Sequence, residues 1–322
     1  MLQVFALLVL LVLVVVLAPG LGDVREMLGR AALGWLVVGV VFELLSCVSY
    51  VLMFRPIFCR SMTWRSSVEI AGSELAVGSI IPASGAAGVA LGAWVLSRGG
   101  MPAEQVARRS VAFMLIKSAV NFVAVAVLGV LMALGVGPDV SLLLTAVPAV
   151  LALGSIALVA AVPRVGPGPL VDGPSRLRRA QAATRRALVG GVQEAGAIVR
   201  AREPLVIVGA VGYWAWDNAV LWATYEAVGV HVALTVVLMG YLIGQLGGAL
   251  PLPGGVGGID LGLIGALILF GAPAAATAAA VFLYRVILFW VPLLTGAVAF
   301  ASLRRALAAD ERADLCRPVI AA

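Results

Sequence analysis

Residues 250–265 read LPLPGGVGGIDLGLIG inside a long apolar region, and this stretch cannot be an ordinary membrane-spanning helix. Pro251 and Pro253 each remove a backbone donor, and Gly254, Gly255, Gly257 and Gly258 carry no side chain to favour a helix. In hydrocarbon the freed backbone groups must be met by protein or water, so the break is expected to line an interior cavity. An earlier stretch, IPASGAAGVALG at 81–92, echoes it. With Pro82 set on Pro251, Gly85 falls on Gly254 and Gly88 on Gly257; further on, Gly100 and Pro102 answer Gly271 and Pro273. Paired glycine and proline interruptions in the two halves of a membrane protein point to a transport site.

A chain with 62% hydrophobic and 12% charged residues is not a water-soluble globule. Its net charge of +6 does not indicate a nucleic-acid partner, because the arginines lie mainly in connections between apolar runs. That distribution is the signature of membrane topology and of contact with anionic lipid. Cys47, Cys59 and Cys316 show no C-x-x-C spacing and read as free thiols, and His231 has no neighbouring ligand for zinc. No metal or cofactor is expected.

Full spans are expected at residues 1–18 (read as uncleaved), 33–53, 113–134, 142–162, 205–225 and 275–301. The interrupted segments cover 67–97 and 233–270, and each arm is too short to cross comfortably. Arginine-rich connections at 55–66, 98–109 and 163–202, together with the tail, belong on the cytoplasmic side. The first interrupted segment then has both ends inside and the second both ends outside. The expected fold is an all-α polytopic membrane protein: six full transmembrane helices plus two opposed re-entrant helical hairpins in an inverted repeat. The halves are 1–162 and 203–303, joined by a basic connection at 163–202 and followed by a tail at 304–322, with both termini cytoplasmic. Within the connection, Leu177, Ala180, Thr184, Leu188 and Val192 recur at helical spacing. They define a basic amphipathic helix, either lying on the membrane surface or solvated as a linker.

Charges inside spans are costly and usually face a cavity or a partner. Lys117 and Arg285 occupy roughly matching places in the two halves, and both suit an anionic head group, the arginine through a bidentate fork. Alternatively they pair structurally with Glu43, Glu74, Asp217 or Asp260. Tyr213, Trp214 and Trp216 sit mid-span, as a cavity wall or as ordinary core. Gly88-x-x-x-Gly92 and Gly258-x-x-x-Gly262 are expected to serve close helix packing.

The segment LPLPGGVGGIDLGLIGALILFGAPAAATAAAVFLYRVILFW resembles the second-half signature of the lysylphosphatidylglycerol synthase transmembrane-domain family, a group of flippase-like integral membrane proteins. Pro251, Pro253, Gly254, Gly255, Asp260, Gly271, Pro273, Tyr284 and Arg285 match its positions, and the resemblance covers about 30–305. Members often carry glutamate where Asp260 stands, and arginine where Ala83 or Ser84 stands. No soluble aminoacyl-transferase segment accompanies the domain in this sequence, so the resemblance implies lipid movement rather than lipid aminoacylation. The substrate-binding candidates are Arg285, Tyr284, Lys117, Asp260, Pro251, Pro253, Gly254, Gly255, Pro82 and Gly85. The leading expectation is a non-enzymatic translocator of an anionic phospholipid or polyprenyl-linked lipid in the bacterial cytoplasmic membrane. The alternative is a membrane scaffold or regulatory subunit partnered with a cell-envelope glycosyltransferase.

Overall fold

The computed structural model describes residues 22–80, 86–138, 140–166, 176–246 and 258–308. These form α1 (Gly22–Gly29), α2 (Leu33–Phe58), α3 (Trp64–Ile80), α4 (Ala86–Arg98), α5 (Ala103–Ala133) and α6 (Leu142–Ala161), the last extended by a 3₁₀ turn to Val165. They continue as α7 (Arg176–Arg200), α8 (Pro204–Ala227), α9 (Leu234–Leu246), α10 (Gly258–Leu269) and α11 (Ala274–Ala308). Five helices are long and apolar enough to cross a membrane: α2, α5, α6 with its extension, α8 and α11. The span expected at 1–18, the proposed hairpin tips with Pro82, Gly85, Pro251, Pro253, Gly254 and Gly255, and Cys316 in the tail lie outside the described residues.

The helices outrun the spans expected from hydropathy. α2 ends at Phe58 rather than Met53, α5 begins at Ala103 rather than Phe113, and α11 continues to Ala308. A hydropathy window stops where charges begin, but a helical backbone continues wherever its charges find water or partners. Arg55, in the added turn of α2, donates to the Met62 carbonyl at 2.6 Å. Arg109, in the added turns of α5, donates to the Phe58 carbonyl and pairs with Glu194 of α7 at 3.0 Å. Residues 23–30, expected as a connection, are largely the helix α1.

The most extensive contact joins α2 and α8. Along it Trp35 meets Trp222, Phe42 stacks on Trp216 and Tyr50 meets Tyr213, with ring centroids 5.2, 5.5 and 5.6 Å apart. The partner's number falls as α2 rises, so the helices run antiparallel. Their backbones approach because Gly209 lacks a side chain: a Cβ there would lie 2.7 Å from both Met53 N and Ser49 O. Gly72 and Gly296 make a similar approach between α3 and α11, and Gly240 and Gly244 seat Leu267 and Leu263 between α9 and α10.

Contacts gather the arginine-bearing connections at one end of the bundle. Arg60 pairs with Glu203, Arg109 joins the ends of α2 and α7, and Ser302 donates to Glu69 at 2.7 Å. The opposite end brings the Ala32 amide to the Ala227 carbonyl at 2.8 Å and Gly137 against Thr235. Thus α3 starts from the arginine-bearing end and α9 from the other. α7 is the amphipathic helix expected in the basic connection, and it packs against α5, where Gly190 and Gly191 admit Arg108 and Val111.

Gly209→Val is expected to push α2 from α8 and cost about 1–3 kcal/mol, the range for overpacking. Gly154→Val, where nothing lies within 4 Å, should leave stability unchanged. Thermal unfolding of the purified variants in detergent checks the pair.

Candidate functional site

The polar side chains of the spanning helices converge on the middle of the α2–α8 contact. α2 supplies Glu43, Cys47 and Tyr50; α8 supplies Tyr213 and Asp217. Glu74 comes from α3, Lys117 from α5, Tyr241 from α9, Asp260 from α10, and Tyr284 with Arg285 from α11. Glu43, Glu74 and Asp217 are 5%, 4% and 8% exposed, burial that carboxyl groups tolerate only when hydrogen-bonded, paired or neutral.

Two of these acids are held by tyrosines in a repeated way. Tyr50 donates to Glu74 Oε2 at 2.8 Å, joining α2 to α3. Tyr241 donates to Asp217 Oδ2, joining α8 to α9, and Tyr284 adds a 3.2 Å bond from α11. Tyr50 and Glu74 are 24 residues apart, as are Asp217 and Tyr241. A shift of 167 residues carries Tyr50 onto Asp217 and Glu74 onto Tyr241, with acid and hydroxyl exchanged. The same separation marks a direct contact, since Ser46 Oγ donates to the Tyr213 carbonyl across 167 positions at 3.4 Å.

Sequence reasoning missed this pattern because it aligned the prolines, which are 169 positions apart. A search for tyrosine and acid at equal spacing in the two halves would have found it. The role expected for Gly92 also changes. A Cβ on Gly92 would strike the Glu74 carboxyl, so this glycine makes room for a buried acid, while Gly88 lies against the Glu74 backbone.

The two cations are compensated unequally. Arg285 donates through Nε to Asp260, which sits in the first turn of α10, where a helix favours negative charge. The Arg285 side chain is 33% exposed, and its terminal nitrogens make no hydrogen bond among the described residues. Lys117 has no carboxylate within ion-pair distance among the described residues. Its ammonium lies 5.9 Å from the Tyr50 ring centre and 5.6 Å from that of Tyr213. Lys117 and Arg285 are both in electrostatic reach of Asp217, which brings the two expected cations to one site. Glu43 Oε2, Asn121 Oδ1, Trp214 Nε1 and Asn218 Oδ1 are buried without a hydrogen-bond partner among the described residues. Such atoms mark places for water or ligand.

Residues 3–296 match the family model described as the lysylphosphatidylglycerol synthase TM region. The chain belongs to that family. It is a multi-pass membrane protein of a lipid-related membrane family, and a search of curated proteins finds no match. The match spans all the residues of the convergent polar cluster.

Removing Asp260 and removing Lys117 should have opposite consequences. Asp260→Ala strands Arg285 and is expected to cost about 1–3 kcal/mol, below the roughly 3–5 kcal/mol of a fully buried pair because both groups are partly exposed. Lys117→Met replaces a cation that lacks a fixed carboxylate with an apolar chain and should be neutral or stabilising. Thermal unfolding of the two variants is the measurement.

Proposed function

We propose that the protein translocates an anionic phospholipid or a polyprenyl-linked lipid across the bacterial cytoplasmic membrane, with the head group passing between α5 and α11. The observation that carries this reading is the pair of membrane-embedded cations, Lys117 and Arg285, whose donors exceed their fixed partners. A cation in hydrocarbon is retained when something offsets its desolvation, and a mobile phosphate does so only while it is bound. Arg285 keeps its outer edge available for two parallel bonds to phosphate oxygens, and Lys117 adds a point charge. Tyr284, already oriented by Asp217, fixes the adjacent turn of α11. Asp260 holds the Arg285 fork in place.

The reading includes the inverted repeat, six spans with residues 1–18 as the first, and cytoplasmic termini. Its support is the antiparallel crossing of α2 and α8 at positions 167 apart, together with the two acid–tyrosine bonds related by that shift. A two-fold axis perpendicular to both helices at Ser46 and Tyr213 generates such a pattern. Helices α3 with α4, and α9 with α10, are then re-entrant hairpins from opposite faces. At 1.5 Å per residue they measure about 18–25 Å, short of a core of roughly 30 Å. Rocking one half against the other about the α2–α8 crossing would expose the cations to each leaflet in turn. In this reading the protein moves lipid without modifying it, and its partner is the lipid itself.

Proteoliposomes containing fluorescent phosphatidylglycerol test the proposal. The wild type is expected to equilibrate the lipid between leaflets. Arg285→Lys, which folds but loses the fork, should be slowed about tenfold or more, the equivalent of roughly 1.4 kcal/mol. No lipid movement by folded wild-type protein would favour the scaffold role instead. Topology is checked separately: cysteines at the exposed positions Ala103 and Ala274, in a background free of native thiols, should label from opposite sides. Labelling from one side would overturn the opposed hairpins.

A further inference from the structure

Glu43 has a role that lipid binding does not supply. It is 5% exposed; its Oε2 has no hydrogen-bond partner among the described residues, and its Oε1 meets only the Cys47 thiol, at 3.9 Å. From its own helix Cys47 faces it. From α8 it meets the fields of Asp217 and Tyr213, and from α11 that of Tyr284. Its one charged neighbour in this set is therefore another acid. Asp217 in turn faces Tyr241 from α9, Tyr284 and Arg285 from α11, and Lys117 from α5, which itself feels Glu74 from α3.

The charges of the cluster do not balance. Four carboxyl groups (Glu43, Glu74, Asp217 and Asp260) face two cations, and a lipid phosphate would add further negative charge. Two like charges that feel one another's field within a low-dielectric interior do not both persist without a cation. Asp217 has two tyrosine donors to hold a negative charge, whereas Glu43 has only a distant thiol. A proton on Glu43 is the economical neutraliser, and it gives the orphaned Oε2 a hydrogen of its own. When a phosphate draws on Lys117 and Arg285, Asp217 loses the attraction of both.

We infer that Glu43 and Asp217 form a proton-binding pair at the crossing of the two halves: Glu43 holds a proton in the empty site, and Asp217 takes a second from water as an anionic lipid phosphate settles against Lys117 and Arg285. The second half of this inference rests on the lipid reading above; the first does not. By linkage, a proton taken up on lipid binding lets a proton gradient drive the lipid, and the same coupling acts in both directions.

Two readouts separate the inference from the lipid reading. Infrared spectra of the purified, lipid-free protein at neutral pH should contain a protonated-carboxyl C=O band that Glu43→Gln removes. Its absence from the wild type overturns the inference whatever lipid does. A pH-indicator dye in weakly buffered detergent solution, with short-chain phosphatidylglycerol added, should report uptake of about one proton per lipid bound. Asp217→Asn, shown monodisperse and compared with the wild type at equal bound lipid, should lose that uptake. Wild type that binds lipid without proton uptake overturns the coupling and leaves the lipid reading intact. Failure to bind lipid, with the Glu43 band present, overturns the lipid reading and the coupling together but supports the Glu43 proton. Lipid binding that depends on sodium and takes up no proton would overturn the assignment of the ligand as a proton.

Discussion

The close crossing of α2 and α8 is the contact on which the other elements depend. Gly209 lets one backbone lie against the other, and a side chain there would occupy the space of Met53 N and Ser49 O. In a membrane such packing has to come from surface fit, since burying apolar side chains away from lipid gains little. The polar residues are placed around this contact rather than spread along the spans. Tyrosines, acids and cations from five further helices converge on it, while the large apolar side chains that face outward are mainly leucine and valine.

Tyrosine, rather than lysine or arginine, is the hydrogen-bond partner of Glu74 and Asp217. A hydroxyl satisfies a carboxyl oxygen without adding a charge, so Tyr50 on Glu74 and Tyr241 on Asp217 fix helix positions while leaving both intramembrane cations to other work. Arg285 uses one nitrogen on Asp260 and Lys117 uses none on a described carboxylate. Had the cations been bound within structural pairs, the site would be closed to anions. Each acid–tyrosine bond also ties the first short helix of a pair to the preceding span, α3 to α2 and α9 to α8.

Much of this was legible in the sequence, and the failures have physical causes. Proline and glycine mark the breaks between α3 and α4 and between α9 and α10, because they act through the local backbone. Lys117 and Arg285 stood out because charge inside an apolar run is rare. Helix ends were misjudged at Met53 and Phe113, where hydropathy stops before hydrogen bonding does. The pairing of Tyr50 with Glu74 could not be read locally, since it depends on how two helices face one another. The pattern was nevertheless present as a spacing of 24 in both halves, hidden by alignment on prolines that stand 169 rather than 167 positions apart. Gly92 was assigned to helix packing, whereas its missing side chain accommodates a carboxyl group.

In the inverted-repeat reading the halves are related but chemically unequal, and that inequality bears on how strongly each access state would hold a head group. The 167-residue shift that superimposes the acid–tyrosine bonds places Lys117 on Tyr284, one residue from Arg285. One half thus presents an ammonium near two tyrosine rings, and the other a planar guanidinium held by Asp260 and buttressed by a tyrosine on Asp217. A perfectly symmetric pair would bind an anion with equal strength from each side. In the transport reading, a preorganised fork in one half and a point charge without a close carboxylate among the described residues in the other would make the two access states bind a phosphate with different strengths. A ligand shifts a two-state equilibrium only by such a difference in affinity. In that reading, the departure from symmetry at Asp260 and Arg285 sets how strongly each access state holds a head group, and net direction comes from a coupled driving force such as the proton gradient.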